Sequence, residues 1–400
     1  MTIEKEYTEG RTSFLSADVE HYAVKGQPTA DMPVFYNPRM QVNRDISVAI
    51  LSAYLNEYSV DLMCEPLAGS GVRTLRYLIE CDGDFRAKMF DINPVAVEMC
   101  RKNVELNGLK QRAEVTRGNA KILLITESKE QRFDFVDLDP FGTPAPYIDS
   151  AILSLNPRGS MLGVTATDMA VLCGVYPRVA LRKYGGYSIR APFTHELAVR
   201  LLYGMIYHAA GKQDYGIQPV ASLSTDHYVR IWTKLHESRS ASNRQSREIG
   251  VISFCPECMQ YHVQPLREKG GLGYFEHATE GCNGSVRTAG PLWLGAIYDS
   301  SLLERASEII EQRNGDFTSQ TPKLVSAMLE EEALMHRPYV DIHALCDAYS
   351  LTPPATDDIR CVLKEAGYAS TKTHFTPTAI RTDAPVAKLV EIIENLNKRR

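Results

Sequence analysis

Short apolar runs and longer amphipathic stretches alternate along the chain between about residue 45 and residue 235. Apolar runs bounded by turn residues predict buried strands, and apolar positions spaced three or four apart predict helices. Strands that alternate with helices are typical of a parallel sheet covered on both faces, so we predict an α/β fold here. The expected strands are 60–64, 86–90, 113–116, 133–138 and 160–165, and the expected helices include 46–56, 72–79 and 94–107.

Outside this region the pattern changes, which divides the chain into three parts. Residues 1–45 predict a loop and strand extension of the domain formed by residues 46–248, and residues 249–400 predict a smaller α+β C-terminal domain. A stretch rich in Ser, Arg and Asn at 236–249 predicts a mobile loop near the boundary. The last part predicts helices at 302–313, 323–334, 341–349 and 356–366 and a hairpin at 368–382, as in a winged-helix-like segment.

Composition places the chain among ordinary globular proteins. Of its 400 residues, 44% are hydrophobic and 23% are charged. No apolar run reaches the roughly 18 residues that a membrane-spanning helix needs. The polar start MTIEKEYTEG does not resemble a secretory signal, so we expect a cytoplasmic protein without membrane contact. A net charge of -5 gives no overall sign of nucleic-acid binding, but it does not exclude a locally basic surface that binds nucleic acid.

A glycine-containing loop after the first predicted strand is a candidate cofactor site. It runs from Glu65 to Gly71 and opens a helix, and its glycines let the backbone approach a ligand. Asp91 ends the second strand, where a carboxylate can bind ribose hydroxyls, and Asn119 follows the third, where an amide can bind an adenine edge. We therefore expect a nucleoside cofactor. Helix capping by Asp91 is the structural alternative, and a dinucleotide is disfavoured because the glycine spacing is not G-x-G-x-x-G.

The fourth predicted strand ends in Asp139-Pro140-Phe141, at the edge where ligands bind in such folds. An amine on an aromatic ring is hard to methylate, because the ring delocalises its lone pair. The Asp139 carboxylate and the Pro140 carbonyl can accept the two amine hydrogens and so aim that lone pair at a methyl donor. Phe141 can stack on the base, a contact worth about 1–3 kcal/mol. The run predicts an N-methyltransferase that uses S-adenosylmethionine; a turn with Asp139 as a helix cap is the structural alternative.

Three of the nine cysteines have a spacing that suggests metal binding. Cys255 and Cys258 form a C-x-x-C pair in a predicted turn, and Cys282 follows downstream. Structural zinc needs four Cys or His ligands, so His262 or His277 would be the fourth, and His277 is nearer to Cys282 in the chain. A zinc site is one interpretation, and a degenerate knuckle with free thiols is the other.

The segment 178–190 is a candidate RNA contact. It carries four basic residues and no acid, with two tyrosines among them. Basic groups can hold phosphates and the rings can stack on bases, although such a cluster is more often a solvated surface. The basic residues are Arg178, Arg182, Lys183 and Arg190.

Several longer runs resemble the tRNA (guanine-26) N2-dimethyltransferase family. The central run is DLDPFGTPAPYIDSA at 137–151, with FYNPRMQVNRD at 35–45 and VTATDMAVLCG at 164–174 on either side. APFTHELAVRLL and GPLWLG fit as well, so the resemblance extends from about residue 10 to residue 385. It implies a Rossmann-like S-adenosylmethionine-dependent methyltransferase domain, tRNA as the partner and no obligate protein partner. The implied reaction methylates N2 of guanine and gives N2-methyl- and N2,N2-dimethylguanosine.

The resemblance also implies roles for individual residues. Asp139, Pro140 and Phe141 match the catalytic pocket, and Phe35 matches an aromatic that faces the target base, although it could equally be a core aromatic. Methylation of adenine in nucleic acid, or of a protein side chain, is the alternative function. A non-enzymatic RNA-binding module is a third possibility, which the intact glycine loop and Asp91 oppose.

Two arginines join the cofactor candidates through the resemblance alone. Arg44 and Arg73 match cofactor-binding positions of the family, although both could equally be surface or ion-pair arginines. Asn119 stands where the family commonly has Asp, and an amide can still bind adenine. From the loop and the resemblance together, the candidate cofactor residues are Arg44, Glu65, Gly69, Gly71, Arg73, Asp91, Asn119 and Ala120.

Overall fold

The computed structural model describes residues 2–225, 227–266 and 272–398. The strands are β1 (Glu4–Glu9), β2 (Thr12–Ala17), β3 (Leu62–Glu65), β4 (Arg86–Asp91), β5 (Ala113–Arg117), β6 (Phe135–Leu138), β7 (Ser160–Ala166), β8 (Tyr215–Ser224), β9 (Val229–Glu237), β10 (Ile249–Phe254), β11 (Tyr261–Pro265), β12 (Arg287–Trp293), β13 (Val340–Asp341), β14 (Ser370–Lys372) and β15 (Ala379–Thr382). The helices are α1 (Val19–Tyr22), α2 (Gln41–Leu55), α3 (Val72–Glu80), α4 (Pro94–Leu106), α5 (Ala120–Glu127), α6 (Ala145–Ser154), α7 (Met169–Leu172), α8 (Pro177–Tyr184), α9 (Thr194–Gly211), α10 (Arg239–Gln245), α11 (Ser300–Gln312), α12 (Thr321–Glu331), α13 (Ile342–Tyr349), α14 (Thr356–Glu365) and α15 (Val386–Lys398). Short 3-10 turns lie at Pro38–Met40, Ser246–Glu248 and Glu332–Leu334.

A seven-stranded sheet forms the centre of the first part of the chain, in the order β5-β4-β3-β6-β7-β9-β8. The strands β3 to β7 pair in parallel, whereas β9 is antiparallel to both of its neighbours. Every residue of β3 and β6 is buried, which requires cover on both faces of the sheet. The predicted α/β fold is confirmed, and all five predicted strands form.

The two strands that close the sheet, β8 and β9, are absent from the sequence prediction. β8 contains Gly216 and Pro219, which are turn signals, and its pairing with β9 shifts register between Pro219 and Ala221. Val229, the first residue of β9, pairs with Ala166, the last residue of β7. The start of β9 therefore lies at the same edge of the sheet as the ends of the parallel strands.

The N-terminal extension is a β1–β2 hairpin that is fixed to the helices beside the sheet. Asn103 of α4 holds both polar atoms of the Leu15 backbone, since its Oδ1 accepts from the Leu15 nitrogen at 2.7 Å and its Nδ2 donates to the Leu15 oxygen at 2.8 Å. Glu9, at the end of β1, accepts hydrogen bonds from Arg44 and Tyr36. The extension is thus anchored at both ends.

Two small sheets and five helices are found in the described residues of the C-terminal part. One sheet has the order β11-β10-β12 and the other the order β13-β15-β14. The four predicted helices form as α11 to α14, and the predicted hairpin forms as β14 and β15, which pair from Ser370 with Thr382. No helix among the described residues is long and apolar enough to cross a membrane.

The prediction of a mobile loop at residues 236–249 is wrong. β9 extends to Glu237, and α10 follows at once with Ser238 as its cap, where the Ser238 hydroxyl accepts from the Ala241 nitrogen at 3.2 Å. Tyr207 of α9 donates to the Ser242 oxygen at 3.2 Å and joins α10 to the domain. Residues that favour loops by composition form a short capped helix here, because a neighbouring helix holds it in place.

The C-terminal part packs directly on the first part. α11 lies against α2, and the Thr318 nitrogen and Thr321 hydroxyl both donate to Oδ2 of Asp45, at 2.8 and 3.1 Å. Arg381 of β15 forms an ion pair of 3.0 Å with Glu196 of α9. Buried polar contacts therefore fix the orientation of the two parts.

Candidate active site

A cavity of about 730 Å³ opens at the carboxyl edge of the main sheet, where β3, β4, β6 and β7 end. This is the expected place for a ligand in an open parallel sheet, and the volume is that of a small-molecule site. The structure brings most of the predicted site residues together in its wall. Those that line it are Phe35, Arg44, Glu65, Gly69, Arg73, Asp91, Asp139, Pro140 and Phe141.

The glycine loop and Asp91 form one side of the cavity. Gly69 has a φ of 56° and its nitrogen donates to Oδ2 of Asp91 at 2.9 Å, while Oδ1 accepts from the Asn93 nitrogen at 2.8 Å. Asn93, and not Asp91, caps α4, since its side chain accepts from the Val95 nitrogen. Asp91 thus braces the loop, and its carboxylate retains acceptor capacity toward the cavity because each oxygen has a second lone pair.

Three of the predicted cofactor residues lie outside the cavity wall. Asn119 is exposed and caps α5 by accepting from the Lys121 nitrogen at 3.0 Å, and Ala120 is the buried first residue of that helix. Gly71 caps α3 with a φ of 79°, and a Cβ on it would lie 2.3 Å from Cε of Met89. Asn119 and Ala120 still lie at the carboxyl edge, next to the end of β4 that carries Asp91.

Glu65 lies under the glycine loop and is fully buried. Its Oε2 accepts from the nitrogen and the hydroxyl of Thr74, at 3.1 and 2.5 Å. Burial raises the pKa of Glu65 to about 8, although the charge of Arg73 and the hydrogen bonds from Thr74 lower it. The group is therefore largely protonated at neutral pH in the ligand-free protein.

Asp139 follows β6, and Arg73 holds its carboxylate. Nη2 of Arg73 donates to Oδ2 of Asp139 at 2.6 Å, and Nη1 donates to Asn43 at 2.9 Å and Ser47 at 3.2 Å. Arg73 is almost completely buried, whereas the Asp139 side chain is 21% exposed at the cavity. A clamped arginine of this kind fixes the direction of the carboxylate that it binds.

A second buried arginine binds a carboxylate near the same end of β6. Arg230 of β9 donates through both Nη atoms to the carboxylate of Asp137, at 2.7 and 2.8 Å, and Tyr77 donates to it at 2.5 Å. Burial alone would raise the pKa of Asp137, but the charges of Arg230 and Arg73 lower it. A buried charged network therefore lies two residues before Asp139.

Phe35 and Phe141 form the mouth of the cavity. Their ring centroids are 4.5 Å apart with the planes at 79°, and Phe141 is 57% exposed. Phe35 is only partly buried and lines the cavity, so the core position considered as its alternative is wrong. Arg44 lies behind this mouth in an ion pair with Glu9, at 2.5 Å, with its guanidinium over the ring of Tyr36.

Several residues that line the cavity were not predicted from the sequence. Thr167 follows β7, and its hydroxyl accepts from the Gly142 nitrogen at 2.7 Å, which fixes the turn after Phe141. Tyr228 precedes β9 and reaches the cavity because this antiparallel strand starts at the carboxyl edge. Thr167 could have been predicted as a cavity residue because it follows the fifth predicted strand. Tyr228 could not, because its position depends on β9, which was not predicted.

The structure brings Cys255, Cys258, Cys282 and His277 together, with their ligand atoms all within 4.8 Å of one another. The Sγ atoms of Cys255 and Cys282 are 3.9 Å apart, close to the sulfur separation of about 3.8 Å that tetrahedral zinc–thiolate geometry requires. Nδ1 of His277 lies 3.4 Å from Sγ of Cys258. His262, the other candidate ligand, stacks on Phe275 instead.

Comparison with known proteins assigns the chain to a family. Residues 12–394 match the family model described as N2,N2-dimethylguanosine tRNA methyltransferase. The chain belongs to this family. The tRNA (guanine(26)-N(2))-dimethyltransferase of Methanosphaera stadtmanae is 33% identical over 375 residues, which are 92% of this chain and 93% of that relative. The corresponding protein of Methanothermobacter thermautotrophicus is 34% identical over 370 residues, which are 92% and 94% of the two chains.

A solved structure of the family extends the likeness to three dimensions. Trm1 from Pyrococcus horikoshii, in complex with S-adenosyl-L-methionine, superposes with a TM-score of 0.82 at 31% identity, over 97% of this chain and 99% of that chain. The family predicted from the longer sequence runs and the Rossmann-like methyltransferase fold are both confirmed.

Proposed function

We propose that this protein transfers methyl groups from S-adenosylmethionine to N2 of guanine 26 in tRNA, giving N2-methyl- and N2,N2-dimethylguanosine. One observation carries the proposal: Asp139 and Pro140 line the same cavity as the glycine loop and Asp91, in a chain of this methyltransferase family. A reacting amine and a nucleoside cofactor can therefore meet at the end of β6.

The residues present fit S-adenosylmethionine. Asp91 keeps acceptor capacity for ribose hydroxyls, and a Cβ at Gly69 would lie 3.3 Å from the Phe35 oxygen, so glycine keeps this side of the cavity free. Arg44 would bind the carboxylate end of the methionine part, and Glu65 would bind the ammonium end as a carboxylate once the ammonium charge displaces its proton. When bound, the cofactor supplies a methyl group on a positively charged sulfur.

In the proposed reaction, Asp139 and Pro140 orient the guanine amine. Arg73 occupies Oδ2 of Asp139, so Oδ1 and the Pro140 carbonyl remain to accept the two amine hydrogens. The nitrogen lone pair forms the new bond to the methyl carbon as the carbon–sulfur bond breaks, and the displaced proton passes to Asp139. Orientation of this kind lowers the barrier more than proton transfer does.

The aromatic pair at the mouth would hold the flipped base. A guanine within folded tRNA must leave its stack to reach the cavity, which costs a few kcal/mol. Phe35 and Phe141 contact each other edge to face, and a base placed against them replaces that contact with stacking worth about 1–3 kcal/mol.

The test uses unmodified tRNA transcript, labelled S-adenosylmethionine and mapping of the modified nucleosides by mass spectrometry. We expect N2-methylated guanosine at position 26 and none after G26 is replaced by A. Asp139→Ala should lower methyl transfer at least about 100-fold while cofactor affinity stays nearly unchanged, because the lost contacts act on the amine. Methylation of adenine or of protein instead, or an active Asp139→Ala enzyme, would contradict the proposal.

We also propose that Cys255, Cys258, Cys282 and His277 bind one structural zinc ion. Three thiolates and an imidazole complete a tetrahedral set, which normally stabilises the surrounding turns. Elemental analysis of the purified protein should give about one zinc per chain, and Cys258→Ser should lower both the zinc content and the melting temperature. Cys346→Ser is the control, since this buried thiol lies outside the cluster. If the purified protein contains no zinc and Cys258→Ser leaves its melting temperature unchanged, these four residues do not form a zinc site.

The cytoplasm is the proposed location. No disulfide joins any of the nine cysteines, all of which lie in the described part of the chain, as is usual in a reducing compartment. The absence of an obligate protein partner stays a prediction, as does the division of the chain at residues 45 and 248.

A further inference from the structure

The exposed side of α8 carries arginines whose charges are not neutralised within the protein. Arg178 and Arg182 are four residues apart and share a face of the helix, while Ala180 and Tyr184 are buried on the other. No acid occurs between Asp168 and Glu196 in the sequence. Two like charges on one helix face repel each other, so this arrangement costs free energy unless an anion binds.

These arginines differ from several surface arginines of the chain that have acidic partners. The side chains of Arg178 and Arg182 make no hydrogen bond or ion pair with any residue that the structure describes, whereas Arg239 pairs with Asp214 at 2.9 Å. Arg360 similarly pairs with Glu330 at 2.5 Å. The guanidinium groups on α8 thus keep all of their donors available.

The basic surface continues across the junction with the C-terminal part. Tyr187 and Gly290 exchange two backbone hydrogen bonds of 2.9 Å, which places the loop after α8 beside β12. Arg287, the first residue of β12, is exposed and donates to the Arg190 oxygen at 3.5 Å. The Arg190 side chain is likewise unpaired among the described residues. Arg190 and Arg287 therefore extend the basic residues of α8 and its following segment onto the C-terminal part.

Two exposed tyrosines lie directly before and shortly after α8 in the chain. Tyr176 is 55% exposed and Tyr187 is 45% exposed. Aromatic rings next to unpaired guanidinium groups are the usual means of binding RNA, through stacking and phosphate contacts. We call the surface of Arg178, Arg182, Arg190, Arg287, Tyr176 and Tyr187 the α8 face.

The α8 face is joined to the catalytic turn through one short segment. Asp168 accepts from Lys183 at 3.2 Å and from the Tyr184 hydroxyl, both on α8. Thr167, the preceding residue, exchanges hydrogen bonds with both backbone polar atoms of Gly142, at 2.7 and 2.8 Å. The face therefore has a fixed position relative to Phe141 and Asp139.

We propose that the α8 face binds the phosphate backbone of tRNA next to the nucleotide that enters the cavity. This inference rests on the proposed function, since it assumes tRNA as the substrate. A net charge of -5 repels a polyanion at long range, so binding requires a local surface of this kind. Contacts on both parts of the chain would orient the tRNA across their junction.

The test compares double variants of matched charge. Arg178→Ala/Arg182→Ala and Arg190→Ala/Arg287→Ala each remove two charges from the α8 face. Lys129→Ala/Arg158→Ala removes two from exposed positions that precede β6 and β7, at the opposite edge of the sheet. Binding of unmodified tRNA transcript is measured by filter binding over a range of KCl concentrations, together with S-adenosylmethionine affinity and initial rates of methylation.

Each α8-face variant should weaken tRNA binding about tenfold and reduce the slope of log affinity against log salt by about 1–2, because one or two phosphate contacts are lost. KM for tRNA should rise while kcat and cofactor affinity stay near those of the unchanged protein, and the control variant should behave as the unchanged protein does. Unchanged affinity and salt slope in both variants would overturn the inference. If the unchanged protein methylates no tRNA, the proposed function itself fails.

Discussion

Glu65 shows how a single buried residue makes the protein sensitive to pH. Its pKa of about 8 lies well above the value of about 4.3 in an unfolded chain, so the folded protein holds a proton that the unfolded chain releases. The stability that this gives is complete below about pH 4 and is lost as pH rises through 8. Between about pH 4 and pH 8, the contribution of Glu65 to the free energy of unfolding falls by at most about 1.4 kcal/mol per pH unit.

We expect Glu65→Gln to flatten this dependence, because glutamine does not titrate. Urea unfolding of both proteins at pH 5, 6.5 and 8 measures it, with Glu98→Gln as an exposed control on α4. A variant that loses stability between pH 5 and pH 8 as steeply as the unchanged protein would show that Glu65 does not bind the proton.

The positions of some cavity residues could be predicted from the sequence, whereas the contacts of others could not. Glu65, Asp91 and Asp139, which line one cavity, could be placed together from the sequence because each follows a predicted strand, and the carboxyl ends of parallel strands share one edge. The contacts of Arg44 and Arg73 could not be found in this way. Their partners Glu9 and Asp139 are 35 and 66 residues away in the chain, and only the folded structure joins them.

At the scale of elements, the start of α3 depends on Gly71. Its φ of 79° is unfavourable for a residue with a side chain by roughly 1–2 kcal/mol. A Cβ would also lie 2.3 Å from Met89 and 3.2 Å from Cys100, in the core between β4 and α4. The backbone therefore favours glycine at this position, and a Cβ would in addition displace the terminal methyl group of Met89.

Gly71→Ala should destabilise the protein by more than about 2 kcal/mol, since overpacking adds to the backbone cost. Gly108→Ala is the matched control, because Gly108 has a φ of 67° with no heavy atom within 4 Å of its Cβ position. Thermal unfolding measures both variants, and equal losses of stability would show that packing against Met89 contributes nothing.

Elements with a regular pattern were predictable and the others were not. The strands β3, β6 and β7 are largely apolar and fully buried, so the sequence locates them, whereas β8 is broken by Gly216 and Pro219. α10 has the composition of a loop, and its cap and its contact with Tyr207 become visible only in the structure. Local signals fail where tertiary contacts decide the conformation.

At the scale of the whole molecule, a buried network joins the two parts. Arg381 lies between Glu331 of α12, at 2.7 Å, and Glu196 of α9, at 3.0 Å. Burial alone would raise the pKa of Glu331, but the charges of Arg381 and His374 lower it to about 2. The stability from this carboxylate is therefore present above about pH 4 and is lost as pH falls toward 2.

Arg381→Met should cost about 3–5 kcal/mol, because it leaves buried carboxylates short of a partner. It should also move acid unfolding to a higher pH, since the pKa of Glu331 rises. Arg360→Met is the control, since it removes only two partly exposed pairs, with Glu330 and Asp357, each worth about 0–1 kcal/mol. Acid titration and urea unfolding measure both variants, and equal behaviour of the two would contradict the role of the network.

Gln320 lies in the wall of the cavity although it is far along the C-terminal part. The neighbouring Thr318 and Thr321 hold Asp45, the residue after Arg44 at the mouth. A gene cut near residue 248 would thus encode a catalytic half with an open wall, in which Oδ2 of Asp45 has lost its two donors while Oδ1 keeps Arg76. Recombination that exchanges the C-terminal half must import a segment that restores these contacts, so we expect the two halves to be inherited together and to diverge in step.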